Sequence, residues 1–75
     1  MNDLEISQLK DLEALFKEVL STAKLGDDEA AHSREDSLRD KALTYIKGSE
    51  NVRFINEAAS IALRTSTIRF SRWCA

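Results

Sequence analysis

The chain has 75 residues, of which 43% are hydrophobic and 32% charged, with a formal net charge of −2. This composition is typical of a single small folded domain, here residues 1–75, and not of a disordered segment. One cysteine and one histidine exclude an intrachain disulfide and a structural zinc site. Because the core of so small a domain is thin, we expect self-association, a binding partner or unusually good helix packing to contribute to its stability.

The sequence shows no sign of membrane insertion or secretion. No stretch approaches the roughly 18 consecutive apolar residues of a membrane span. The N-terminal residues Met1-Asn2-Asp3-Leu4-Glu5 are acidic, where a signal peptide is basic and then apolar. A single cysteine also fits a reducing compartment. We therefore expect a cytoplasmic protein that makes no membrane contact.

Charge is distributed unevenly along the chain. Residues 1–50 carry seven Lys or Arg against twelve Asp or Glu, whereas residues 51–75 carry four Arg against one Glu. The same C-terminal quarter contains the only Trp and two of the three Phe. The molecule is therefore polarised, with an acidic body and a basic, aromatic end.

The first predicted helix covers residues 3–25. Its apolar residues recur at steps of three and four, which is the pattern of one helix face and favours an ordinary bundle helix over an extended coiled coil. Asn2 with Glu5 three residues later is a candidate capping pair, and Ser7 is an alternative start. Gly26 lies just beyond Lys24 in the last turn and predicts a helix stop in which the glycine turns left-handed; Gly48, just beyond Lys47, predicts the same at the end of the second helix.

The second predicted helix covers residues 28–47 and stops at Gly48. Its first half is polar, so two starts are open: an early one capped by Asp27 or Asp28, and a late one in which Ser33 pairs with Asp36. We favour the continuous helix, because good helix formers dominate this stretch and nothing in it breaks a helix.

The third predicted helix covers residues 50–64, with Ser49 or Asn51 as its cap. Its small alanines suit close helix packing at the centre of a bundle. After Thr65, residues 68–73 alternate in the manner of a strand, but the chain offers no second strand to pair with. We therefore predict a short fourth helical segment, running through Trp73, in which Ile68 and Phe70 or Trp73 and Cys74 pack onto the bundle.

These elements predict an all-α fold: a small three-helix bundle with a short fourth C-terminal helical segment. Its predicted core consists of Leu9, Leu12, Phe16, Val19, Leu38, Ala42, Ile46, Ile55, Ala59, Ala62 and Leu63.

The C-terminal quarter contains the residues that we predict to bind a partner, which are Arg64, Arg69, Phe70, Arg72 and Trp73. Arginine and large aromatic residues are enriched in protein interfaces. Basic residues interleaved with aromatics are also found in proteins that bind single-stranded nucleic acid, but the acidic net charge argues against a polyanionic ligand. A third interpretation is that these arginines pair with the acidic helices of the same molecule.

No set of residues predicts catalysis or cofactor binding. His32 has Glu29, Glu35 and Asp36 within one helical turn, which is typical of a solvated histidine in a charged helix and not of a metal site. Cys74 lies far in sequence from this only histidine, and no third group is evident that orients a base toward it. We therefore predict neither an enzyme nor a cofactor-binding or metal-binding protein.

The functional prediction is a small protein-interaction module. We expect a regulator or inhibitor that acts by binding another protein, and we expect it to form a homodimer. The alternative is a nucleic-acid-associated regulator that uses the arginines of the C-terminal segment. The composition resembles that of small bacterial and phage accessory proteins, which is a resemblance of composition only.

Overall fold

The computed structural model describes residues 1–72 and shows three helices packed as a bundle. They are α1 (Asp3–Lys24), α2 (Asp28–Lys47) and α3 (Val52–Arg64), and one turn of 3-10 helix (Thr65–Thr67) continues directly from α3. No strand is present among residues 1–72. The predicted all-α bundle with a short C-terminal helical segment is thus confirmed.

The first residue of each helix is selected by a capping side chain. The side chain of Asn2 accepts a hydrogen bond from the Glu5 amide at 2.8 Å, and the Glu5 carboxylate accepts one from the Asn2 amide at 3.1 Å. Asp27 accepts from the amide of Ala30 at 3.1 Å, so α2 takes the early start. Asn51 caps α3. Each cap satisfies an amide that has no partner within its helix.

The two glycines end their helices in different ways. Gly26 has a φ of +81°, in the left-handed region that we predicted. Its amide and that of Asp27 bond back to carbonyls of α1, closing the pattern usual for such a stop. Gly48 has a φ of −88°, so the prediction of a left-handed turn is wrong there. The chain leaves α2 through residues with ordinary backbone angles, and a side chain at position 48 has room.

The core lies where all three helices and the C-terminal segment meet. Five predicted members are buried, and Leu9, Phe16, Ile46 and Ile55 are partly buried against them. The full buried apolar set consists of Leu12, Val19, Ala31, Leu38, Ala42, Phe54, Ala58, Ile61, Ala62 and Ile68.

The prediction of which α3 residues face the core is partly wrong. The helix is oriented by Phe54, which is fully buried and is absent from the predicted core. Leu63 follows Phe54 by nine residues, about two and a half turns, and therefore lies on the opposite side of the helix. It is 66% exposed. Ala59, another predicted core residue, is only half-buried. Burial of the largest side chain decides the rotation of the helix, because it removes the most apolar surface from water.

The C-terminal helical segment ends earlier than predicted. Its single turn covers Thr65–Thr67, and residues 68–72 are not helical. Thr65 is fully buried, and its hydroxyl donates to the carbonyl of Ala62 at 2.9 Å. The chain is extended at Ile68, with a ψ of 126°. The chain therefore leads residues 68–72 back against the bundle.

Candidate interaction surfaces

The C-terminal segment, residues 65–72, packs onto the bundle. Ile68 is 7% exposed and belongs to the core, and Phe70 packs partly buried against the same core. The prediction that Ile68 and Phe70 pack down is therefore confirmed, although they do so from an extended segment and not from a helix. Trp73 and Cys74, which we predicted in the same segment, lie outside the described residues.

Arg72 anchors this segment through a two-point contact with Glu35 of α2. Its Nε and Nη2 atoms donate to the two carboxylate oxygens of Glu35, each at 3.0 Å. The Nη2 atom also donates to the carbonyls of Thr65 at 2.8 Å and Ile68 at 3.2 Å. The guanidinium carbon lies 4.0 Å from the ring centroid of Phe70. One side chain thus connects α2, the 3-10 turn and the extended segment.

Glu35 is a buried carboxylate that remains charged. Its side chain is only 2% exposed. Burial alone raises the pKa of the Glu35 carboxyl, but the hydrogen bonds from Arg72 and the charges of Arg39 and Arg72 outweigh burial and hold this pKa below its usual range. From the sequence we considered Glu35 only as a carboxylate near His32 and predicted no buried partner for it. The carboxylate points into the bundle toward Arg72.

Arg64 and Arg69 differ in their contacts. Arg64 donates to the Glu13 carboxylate of α1 at 2.5 Å, and its guanidinium carbon lies 4.8 Å from the ring centroid of Phe16. Arg64 nevertheless keeps 46% of its side chain exposed. Arg69 is exposed at the edge of a hollow that Phe16 and Lys24 of α1 also line. Of the predicted binding residues, these two are the most accessible cations.

Most of the positive charge of residues 51–75 is paired with carboxylates of the same molecule. Arg53 pairs with Glu57 along α3 at 3.4 Å, and Arg64 and Arg72 pair with carboxylates of α1 and α2. Three of the four arginines in the quarter therefore have an acidic neighbour. A phosphate backbone would have to compete with these carboxylates, which disfavours a nucleic-acid surface here.

The outer face of α3 is an exposed surface with apolar character. Val52 is 67% exposed and Leu63 is 66% exposed, and both lie opposite the buried side of the helix. Between them lie Ala59 and other small or short polar residues, so another helix can approach closely. We call this surface the outer α3 face. It consists of Val52, Asn56, Ala59, Ser60 and Leu63.

A second exposed surface is the groove between α1 and α3. It has a volume of about 560 Å³. Ile6 and Met1 are each 40% exposed there, and Ile61 forms part of its floor. Lysines and glutamates from the two helices line its sides. We call it the α1–α3 groove, and its lining consists of Met1, Ile6, Leu9, Lys10, Glu13, Ala14, Lys17, Glu57 and Ile61.

The remaining polar contacts join helices to one another. The Glu5 carboxylate accepts hydrogen bonds from the Ser49 hydroxyl at 3.1 Å and the Asn51 amide at 3.3 Å, which ties the start of α1 to the α2–α3 connection. The hydrogen bond from the Asn2 backbone, with those from the Asn51 and Ser49 side chains, outweighs the opposing effect of burial, so the pKa of Glu5 is lowered. The Tyr45 hydroxyl donates to Asp11 at 2.7 Å across α1 and α2. These contacts position helices and form no open site.

The described part of the chain contains no metal-binding cluster of three or more His, Cys, Asp or Glu. His32 lies on α2 with its Nδ1 atom 3.9 Å from the Asp36 carboxylate. Every buried side-chain nitrogen or oxygen among residues 1–72 has a hydrogen-bond partner. The buried charge at Glu35 is thus satisfied within the fold.

Comparison with known proteins identifies no relative. The chain matches no protein-family model, no curated protein and no solved structure. Among residues 1–72, no helix combines the length and apolar character needed to cross a bilayer. Functional inference therefore depends on the surfaces described above.

The position of Glu35 within the apolar stripe of α2 is a sequence feature that could have predicted its burial. Ala31, Leu38 and Ala42 are buried on one face of α2, and Glu35 occupies the position in that stripe between Ala31 and Leu38. A carboxylate within an apolar stripe needs a buried cation, because an unpaired charge is costly there. The stripe does not indicate which cation pairs with Glu35, because Arg72 lies 37 residues later in the chain.

Proposed function

We propose that this chain is a small protein-interaction module, a regulator or inhibitor that acts by binding another protein through the outer α3 face. The observation that supports this most is the exposure of Val52 and Leu63, two large apolar side chains on one side of a helix. Around them lie small residues that allow close approach of a partner helix.

The charges beside this face indicate the chemistry of the partner. Arg53 is 75% exposed and Arg64 is 46% exposed. Arg69 is exposed at a hollow whose lining includes Thr67, and Thr67 also lines the depression beside Leu63. The first two arginines are only partly covered by their intramolecular carboxylates. A complementary partner is an amphipathic helix with aliphatic residues on one side and Asp or Glu flanking them.

The roles predicted for Phe70 and Arg72 in partner binding remain predictions. Both residues lie against the bundle, and Arg72 would have to release the Glu35 carboxylate before meeting a partner. The proposed surface therefore uses Arg64 and Arg69 and leaves Arg72 in place. Cytoplasmic location, which suits a regulator of a larger intracellular protein, also remains a prediction.

The test is capture from the source cell with matched variants. Leu63→Asp places a charge on the face in place of one of its two large apolar side chains, and Leu43→Asp places the same charge at a 51% exposed leucine of α2. Both exposed sites should tolerate the change without unfolding, which circular dichroism checks. We expect one protein to be recovered with the wild type and with Leu43→Asp, and to be lost with Leu63→Asp.

Equal recovery with both variants would contradict a binding role for the outer α3 face. Treatment of the extract with nuclease separates the nucleic-acid alternative, because a contact that depends on a polyanion is lost on digestion and weakens steeply with salt. We expect recovery to survive both treatments.

A further inference from the structure

The α1–α3 groove has a lining that complements itself. Six of its residues form one continuous face of α1, at the helical spacing of three and four. They are Ile6, Leu9, Lys10, Glu13, Ala14 and Lys17. The face carries charges of both signs around an apolar centre, and Glu57 of α3 adds a further carboxylate. A polyanion or polycation is therefore a poor match, and a surface with the same mixture of charges is a good one.

When two copies of this face pack antiparallel, opposite charges come together. If a second copy of α1 lies antiparallel across the groove, Lys10 faces Glu13 of the second copy, and two-fold symmetry repeats the contact. Arg64 of the same copy donates to the Oε1 atom of Glu13, which leaves the Oε2 atom for this lysine. In the same register Leu9 faces Ala14, and Ile6 faces Lys17, whose methylene stem can cover it. Leu9 is half-buried while Ile6 is 40% exposed, so both retain apolar surface to bury.

The parallel arrangement lacks this complementarity. With two copies of α1 aligned in the same direction and register, Lys10 would face Lys10 and Glu13 would face Glu13. Like charges directly opposite each other destabilise a contact. The antiparallel arrangement is also isologous, so it closes after two copies and leaves no complementary surface for further growth.

We propose that the α1–α3 groove is the interface of a homodimer in which two copies of α1 pack antiparallel about a two-fold axis. Charge complementarity between Lys10 and Glu13 selects the second copy over an unrelated partner. The inference goes beyond the proposed function because it uses a different surface. The outer α3 face of each copy contributes no contact to this pairing, so the dimer presents it twice.

Charge exchange tests the register directly. In Lys10→Glu the introduced carboxylate lies opposite Glu13 of the second copy, and in Glu13→Lys the introduced ammonium lies opposite Lys10, so each variant should fail to dimerise. Mixing the two variants restores ion pairs between unlike copies and should produce a one-to-one heterodimer. The matched control for Lys10→Glu is Arg34→Glu, which also replaces a cation by a carboxylate, at an exposed site on α2 outside the groove.

The measurement is molar mass by sedimentation or light scattering over about a thousandfold range of concentration, because the fraction of dimer depends on protein concentration. We expect the wild type and Arg34→Glu to double in mass, each groove variant to stay monomeric, and the equimolar mixture to double. Circular dichroism establishes that the monomeric variants are folded.

A wild type that stays monomeric throughout would overturn the proposal, and so would groove variants that dimerise as the wild type does. A mixture that stays monomeric would overturn the antiparallel register. The proposed function is tested separately, by loss of capture in Leu63→Asp. Because Glu13 pairs with Arg64 beside the outer α3 face, Lys10→Glu and not Glu13→Lys is the monomeric variant to use in capture. The homodimer and the outer α3 face therefore succeed or fail separately.

Discussion

Replacing Arg72 by methionine isolates the contact that holds the C-terminal segment on the bundle. Methionine keeps an apolar stem against Phe70 but removes the guanidinium, leaving the buried Glu35 carboxylate without its two-point partner. Removing one member of a fully buried ion pair costs about 3–5 kcal/mol. Here the loss should be smaller, because Arg72 is 35% exposed and Arg39 lies 3.7 Å from the same carboxylate.

We therefore expect Arg72→Met to lower the free energy of unfolding by about 2 kcal/mol, which is the contribution of one hydrogen bond to a charged group. A single core in a domain this small supplies about 3–5 kcal/mol in total, so the change is a large fraction of the stability. The expected fall in melting temperature is about 8–16 °C at neutral pH. Thermal and urea unfolding followed by circular dichroism measure both quantities.

The loss should depend on pH with a defined sign. In the wild type the folded pKa of Glu35 lies below the ordinary value of 4.5, so its ion pair stabilises the fold above that pH and is lost as pH falls through the folded pKa. In Arg72→Met, burial favours the protonated carboxyl. The difference in unfolding free energy between wild type and variant should therefore be largest at neutral pH and shrink below about pH 4.

Two comparisons decide whether this reasoning holds. Arg69→Met removes the same group from an exposed position three residues earlier and should change stability by less than about 0.5 kcal/mol. A double-mutant cycle with Glu35→Gln should give a coupling energy of about 1–3 kcal/mol. If Arg72→Met unfolds at the same temperature as Arg69→Met, or if the difference persists unchanged in acid, the contact does not stabilise the fold as described.

Five further substitutions make three tests of the helices themselves, each followed by urea unfolding. Phe54→Ala should lose about 3–5 kcal/mol and leave little folded protein, whereas Leu63→Ala should lose no more than about 0.5 kcal/mol; similar losses would contradict the observed rotation of α3. Gly26→Ala should cost about 1 kcal/mol because its φ is +81°, but Gly48→Ala should be neutral or stabilise by up to about 1 kcal/mol. Equal effects at the two glycines would refute the different turns. Asn2→Ala should lose about 1 kcal/mol as its cap disappears, and an unchanged midpoint would show that the cap contributes nothing.

Local sequence signals were sufficient where the stabilising contact lies within one helix or at its end. The three helices, their capping residues Asn2, Asp27 and Asn51, and the left-handed turn at Gly26 depend on neighbours a few residues away. The apolar stripe of α1 likewise predicted the buried residues Leu12 and Val19. These features follow from spacing and side-chain chemistry alone.

The tertiary structure decided what depends on residues far apart in the chain. Apolar residues occur around much of α3, so periodicity could not choose between Leu63 and Phe54 for the core; packing against α1 and α2 made that choice. Sequence also could not show that Arg72 pairs with Glu35, because the contact forms only when residues 65–72 fold back across α2. The sequence determined the helices and a basic, aromatic end, whereas long-range packing determined which of those arginines remain exposed.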